Sequence, residues 1–224
     1  MKKYFFCLCI ISFCFTSATD AQVGIFVGPR MGYGPAYGYP RRPRRQFHDN
    51  RPPFKPYLNL SFGYGFPNLD VNELPSFYNL YRGNATSQTG PVTGSIDYRF
   101  SRQMSIGVMV AHGNVSAPYY NYNDGSKAFD GSLESWAVML DFMHYIPVNN
   151  NKISPYIRTA IGINTWQQNY TDAGGNKIAM DGNPSELAYQ VGIGANFYVF
   201  KHAGLFLEAG YGKYILHGGL SFKF

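Results

Sequence analysis

The sequence predicts an all-β protein whose main domain is an eight-stranded antiparallel up-and-down transmembrane β-barrel. Three observations carry the prediction. Apolar residues recur at every second position in eight segments of the C-terminal three quarters of the chain. The seven prolines after Pro56 all fall between those segments or at their ends, where no ladder donor is lost. The face opposite the apolar one carries charged and polar side chains rather than a second apolar set.

The chain opens with Lys2 and Lys3, an apolar run from Tyr4 to Phe15 and the stretch "TSATDAQ". This is the pattern of a Sec signal peptide over residues 1–21, cleaved near Ala21. The run is shorter than the roughly 20 apolar residues that a spanning helix needs. Cys7, Cys9 and Cys14 all lie inside it, so the processed chain has neither a disulfide framework nor a thiolate metal site. Lipid attachment at Cys14 is the alternative, and the bulk of Phe13 just before it argues against that.

Residues 22–56 hold seven prolines and five glycines, with almost no aliphatic residues after Val27. That composition predicts a disordered, Pro-rich linker, because it cannot bury enough apolar surface to offset the entropy of ordering. Its seven basic residues face Asp49 alone, a balance of +6, whereas residues 57–224 hold 10 Lys or Arg against 11 Asp or Glu. The basic character of the chain therefore sits in the linker, above all in Arg41, Arg42, Arg44 and Arg45. That patch is expected to meet an anionic envelope component or to act as a solvated spacer. The main domain is excluded as a nucleic-acid binder on charge grounds.

From residue 57 the period is two. "YLNLSFGYGF" sets Leu58, Leu60, Phe62, Tyr64 and Phe66 on one face and Asn59, Ser61, Gly63 and Gly65 on the other. Further strands are expected at about 92–100, 104–112, 133–145, 155–166, 187–199, 204–212 and 215–224, giving a barrel over 57–224. If Ile96, Tyr98 and Phe100 share one face, Asp97 and Arg99 lie on the other, with Asp141, Arg158, Glu208 and Lys223 on the same side. These six are the expected polar network of a narrow interior. The bulky set, Val108, Val138, Leu140, Ile161, Ile163, Ile193, Leu205 and Leu207 among it, is too much aliphatic surface for water and points outward to lipid. In hydrocarbon an open sheet edge would leave backbone groups unpaired, so the sheet must close.

Connections after the second, fourth and sixth strands are short, and those after the first, third and fifth run to about 20 residues, near 67–91, 113–132 and 167–186. Short periplasmic turns and long outer loops then place both termini in the periplasm. Trp136 and Trp166 are expected at the outer rim with Tyr64, Tyr189 and Tyr211, and Tyr98, Phe100, Tyr145, Tyr156, Phe197 and Phe222 near the inner one, as two aromatic girdles.

With its signal peptide, eight alternating strands and final "GGLSFKF", the chain resembles the small OmpA/OmpX-like outer-membrane barrels of Gram-negative bacteria, the porin-family or outer-membrane β-barrel domain. The Gln after the cleavage site is similar to Bacteroidetes signal peptides. The resemblance covers 57–224 and implies an outer-membrane location. It also implies that Leu220, Phe222 and Phe224 form the signal read by the barrel-assembly machinery.

Catalytic patterns are not met. No His is followed by Ser at the two-residue spacing of the deacylase barrels, and His217 and Ser221 stand ~13 Å apart along a strand. The Pro-rich linker stands where acyltransferase barrels carry an amphipathic helix. "GYGPAYG" and "VGIGAN" do not join a strand to a helix, so neither makes a phosphate loop, and the Asp- and Asn-rich loops fail the EF-hand spacing. Eight strands leave no open channel. The expectation is a monomeric, non-enzymatic protein without cofactor or metal. Its expected role is structural or adhesion-like, with long loops meeting an external protein or glycan. The alternatives are an outer-leaflet lipid-modifying enzyme and a soluble lipocalin-like carrier.

Overall fold

The computed structural model describes residues 54–148, 150, 152–179, 182 and 184–224. The expected signal peptide (1–21), nearly all of the linker (22–56) and the arginine patch at 41–45 lie outside the described residues. Ten strands follow in order: β1 (Tyr57–Phe66), β2 (Leu80–Arg82), β3 (Ser87–Arg99), β4 (Met104–Asn121), β5 (Lys127–Tyr145), β6 (Ile153–Asp172), β7 (Lys177–Ile178), β8 (Leu187–Tyr198), β9 (Ala203–Tyr211) and β10 (Leu216–Lys223). A 3-10 turn, Leu69–Glu73, lies between β1 and β2.

Eight of these strands close on themselves. β1 pairs antiparallel with β3 on one side and with β10 on the other, and β3, β4, β5, β6, β8, β9 and β10 complete the ring. The short β2 pairs with the far end of β4, and β7 with the far end of β6. Closure is tight where the first and last strands meet: Gly63 faces Gly219, and a side chain at Gly219 would strike the Phe62 carbonyl. The seam runs to the last residue, where Phe224 N–H donates to Leu58 C=O (2.9 Å) and Leu58 N–H to Phe224 C=O (3.2 Å). Leu220 and Phe224 face outward there.

The strands are unequal. β1, β8, β9 and β10 have 8 to 12 residues, enough for a tilted crossing, but β4, β5 and β6 have 18, 19 and 20. Their surplus rises past the neighbouring strands as a blade. This corrects the expected long loops at 113–132 and 167–186: β4 continues to Asn121, β5 starts at Lys127 and β6 continues to Asp172, so much of both segments is strand. The connection between β4 and β5 shrinks to Tyr122–Ser126. At the other end of the barrel lie the β3–β4, β5–β6 and β8–β9 connections, residues 100–103, 146–152 and 199–202.

Polarity inverts along the long strands. Below the blade, the outward rows Val108–Leu140–Ile161 and Val110–Val138–Ile163 are apolar across β4, β5 and β6. Above them comes the row His112–Trp136–Thr165, in which the His112 and Trp136 rings stack at 4.3 Å. The next three outward rows are polar or a proline: Asn114–Glu134–Gln167, Ser116–Ser132–Asn169 and Pro118–Asp130–Thr171. The inward face does the reverse, from Asp141 and Arg158 low down to Val115, Leu133, Tyr119, Phe129 and Tyr170 in the blade.

Candidate functional site

The lumen is filled in layers, each set by strand register. At the turn end, Arg99 from β3 stacks its guanidinium on the Tyr145 ring at 3.6 Å and donates from Nη1 to Tyr57 Oη (2.7 Å). Lys223 Nζ lies 4.2 Å from the centre of the Tyr57 ring. Among the described residues neither cation forms an ion pair.

One layer up sits Arg158, a guanidinium buried against three carboxylates. Its Nε lies 3.1 Å from Asp141 Oδ2, and its Nη1 donates to Glu208 Oε2 at 3.0 Å. Glu208 also accepts from Tyr214 Oη (2.8 Å) and Tyr156 Oη (3.1 Å). Asp97, from the other side of the ring, accepts from Ser95 Oγ (2.9 Å), which is itself 2.7 Å from Ser61 Oγ. Coulomb attraction between buried charges is strong, yet so is the cost of stripping water from each of them. The net stability such a cluster adds is therefore small, whereas removing one partner is costly.

Of the six residues expected to share one network, the structure thus brings Asp97, Asp141, Arg158 and Glu208 into one layer. It places Arg99 and Lys223 in a separate layer of cations and aromatic rings at the mouth. The aromatic girdles also need correction. Trp136 is exposed on the outer face, but Trp166, Tyr145 and Tyr156 have the parity of Arg158 and Asp141 and point inward. Tyr145 and Tyr156 are 2% and 1% exposed, buried in the lumen. Trp166 packs beside Leu74, Val115 and Leu133 and donates from Nε1 to Ser185 C=O (2.8 Å).

His217 points inward as well, with Nε2 2.6 Å from Thr93 Oγ1, while Ser221 Oγ donates to Asn59 Oδ1 (2.9 Å). The two side chains serve separate pairs inside the lumen and do not meet. Among the described residues no group of three or more His, Cys, Asp or Glu is placed to hold a metal ion.

The blade end is closed by a plug built from the 67–91 segment and the β9–β10 turn. Asn68 Oδ1 accepts from Asp70 N–H (3.1 Å), starting the 3-10 turn, and Arg82 Nη1 donates to Val71 C=O (2.5 Å) from behind. The turn thereby lowers Asp70 into the barrel, where it is 3% exposed. The β9–β10 turn bends inward to meet it, because Gln190 Oε1 accepts from Lys213 N–H at 2.8 Å. Lys213 Nζ lies 2.6 Å from Asp70 Oδ1, and it donates to Asn164 Oδ1 (3.1 Å) and Ser135 Oγ (3.3 Å). Ser135 Oγ in turn donates to Asp70 Oδ2. A serine, a lysine and an aspartate in contact could suggest an activated hydroxyl, but Ser135 is wholly buried beneath the plug.

Above the plug, Phe77 inserts edge-on among Tyr119, Phe129 and Tyr170, with ring centres 5.3 to 5.6 Å away. The segment 67–91, whose aromatic and polar mixture "LPSFYNLYRGN" suits adhesion and packing over the barrel mouth equally, is partly an internal lid. On the blade's other face Tyr81 stacks on Tyr120 at 5.4 Å and lies 5.2 Å from Tyr122.

No family model matches the chain, and no curated protein does. Among solved structures, it is similar to the outer membrane protein OprG of Pseudomonas aeruginosa, at 10% identity and a TM-score of 0.41 over 75% of this chain and 95% of that one. It is also similar to the attachment invasion locus protein Ail of Yersinia pestis, solved with the heparin analogue sucrose octasulfate, at 13% identity and 0.39 over 75% and 97%. A third is a de novo designed transmembrane β-barrel, at 16% identity and 0.40 over 75% and 95%. At these identities and TM-scores the likeness carries no function to this chain.

Proposed function

We propose that the chain is an integral outer-membrane β-barrel, monomeric and closed to diffusion, which works through the surface of its blade as a structural or adhesion-like protein. The observation that carries this reading is the polarity inversion at His112–Trp136–Thr165. Below that row the strands are apolar outside and polar inside, as lipid demands, and above it they are polar outside and apolar inside, as water demands. A soluble carrier would keep one polarity along its whole length. The lumen supports closure, since Arg158 and its carboxylates, the Asp70–Lys213 pair and Phe77 succeed one another along it.

In this reading the blade and plug are external and the short turns periplasmic. The stacked Tyr81, Tyr120 and Tyr122 form the surface for a protein or glycan partner, because aromatic faces beside polar groups suit both. Leu220, Phe222 and Phe224 are the segment read by the assembly machinery, and the arginines at 41, 42, 44 and 45 meet an anionic envelope component. No catalytic step is assigned to the lumen. Membrane fractionation with a heat-modifiable gel shift tests the proposal: a detergent-requiring band that changes mobility on boiling is expected, and extraction without detergent overturns it. Lipid A from a deletion strain is expected to be unchanged.

A further inference from the structure

The two ends of the barrel differ in charge, and the difference is not spread evenly over the surface. Each of the three turns at the end opposite the blade joins an exposed apolar residue to one cation. Phe100 precedes Arg102, Val148 precedes Lys152, and Phe200 precedes Lys201. None of the turns, residues 100–103, 146–152 and 199–202, contains an Asp or Glu, and Lys55 adds a cation just before β1. The blade end carries acidic and basic residues side by side, as in the Lys127–Asp130 pair.

The apolar members matter as much as the charges. Val199 and Phe200 are 67% and 72% exposed, so the apolar belt of the strands continues into the turns instead of stopping at them. A turn that offers water a phenylalanine and a lysine in succession suits an interface, with the ring among acyl chains and the ammonium at the depth of the phosphates.

We propose that this turn end binds the headgroups of anionic phospholipids in the leaflet around it, with Lys55, Lys152 and Lys201 as the contacts. The proposal rests on the membrane reading above. A cation near an anionic lipid surface gains free energy that falls off within a Debye length, so the contact is salt-dependent. It also gives the barrel a vertical register that the apolar belt alone would leave free to slide.

The test places the full chain in nanodiscs of phosphatidylcholine containing a trace of spin-labelled phosphatidylglycerol or spin-labelled phosphatidylcholine, and measures the motionally restricted fraction of each. Several-fold selectivity for phosphatidylglycerol is expected at low salt. It should fall towards one in the Lys55→Ser/Lys152→Ser/Lys201→Ser variant, and persist in the Lys127→Ser/Lys177→Ser control at the blade end. Equal restriction of both lipids, or selectivity that survives the triple substitution, overturns the proposal. Loss of selectivity on adding inorganic phosphate at constant ionic strength also overturns it, by assigning the cations to a soluble anion. The gel shift is read first: a protein that inserts but does not select lipids sinks this inference alone, whereas one that never inserts sinks the membrane reading and this with it.

Discussion

The lower barrel and the blade are built from the same three strands, yet they solve opposite problems. In the barrel, β4, β5 and β6 turn Val108, Leu140 and Ile161 outward and close around Asp141 and Arg158. Six residues further on they turn Asn114, Glu134 and Gln167 outward and close around Leu133 and Phe129. Backbone pairing continues through the change, so the sheet is indifferent to which solvent it meets. What changes is only which parity of side chain is apolar, and a core of charges is the price of facing lipid. The blade has an ordinary hydrophobic core in miniature, completed by Leu74 and Phe77 from the plug.

That contrast can be broken from either side. The largest effect is expected where the guanidinium that pairs with the lumen's carboxylates is lost. Arg158→Met leaves Asp97, Asp141 and Glu208 together without a cation, costing about 3 to 5 kcal/mol in urea unfolding from vesicles, the range for breaking a buried pair. Next comes a direct comparison of solvents. Leu140→Arg in the outward belt is expected to cost about 2 to 4 kcal/mol, as a cation on the lipid face does near mid-bilayer. Ser132→Arg, four rows up the blade on the same strand and face, should stay within about 0.5 kcal/mol. Equal costs at the two sites would remove the inversion as a solvent boundary.

A smaller effect separates the plug from the barrel. Phe77→Ala empties the ring cluster of Tyr119, Phe129 and Tyr170, and should loosen it by about 1.5 to 2 kcal/mol, the worth of three edge-on aromatic contacts at the weak end of their range. Faster proteolysis between Asn68 and Arg82 is expected, with the gel shift of the barrel unchanged. The smallest is confined to a blade turn. Asn176 donates to Asp172 from its backbone N–H (2.7 Å) and its Nδ2 (3.1 Å), and these bonds hold the Asp172 carboxyl below its ordinary range. A lowered carboxylate pKa means stability that is present above the unfolded value and lost as pH falls through the folded one. Amide exchange at Asn176 should therefore quicken only under acid, below the usual Asp range, and in Asp172→Asn it should be fast throughout.

How much of this was legible in the sequence follows from the same parity rule. The eight strands of the ring and the meeting of Asp97, Asp141, Arg158 and Glu208 can be read from alternation, because each side chain's face follows from counting by two along its strand. Trp166, Tyr145 and Tyr156 obey that count too, and placing Trp166 in the outer-rim girdle and the two tyrosines in the inner-rim one sets residue type above parity. The blade was hidden by a phase change. On β4 the apolar positions pass from the even Ile106, Val108 and Val110 to the odd Val115, Ala117 and Tyr119, which resembles a strand ending when it is a strand changing solvent. The plug left less to read, since the Asp70–Lys213 pair joins residues that no local pattern connects, and it depends on two turns bending towards each other.

The length of the blade has one more consequence, for reach. From His112 to Tyr120 the chain climbs eight residues, ~27 Å at ~3.4 Å each, and even with the usual tilt the stacked tyrosines stand on the order of 20 Å beyond the lipid boundary. In the outer-membrane reading proposed above, a bulky partner could therefore meet Tyr81, Tyr120 and Tyr122 without touching a headgroup, whereas anything recognising the lid would have to descend among the lipids around the barrel. The three lengthened strands act as a stalk, and shortening them by a matched pair of residues would test whether binding depends on height as well as on chemistry.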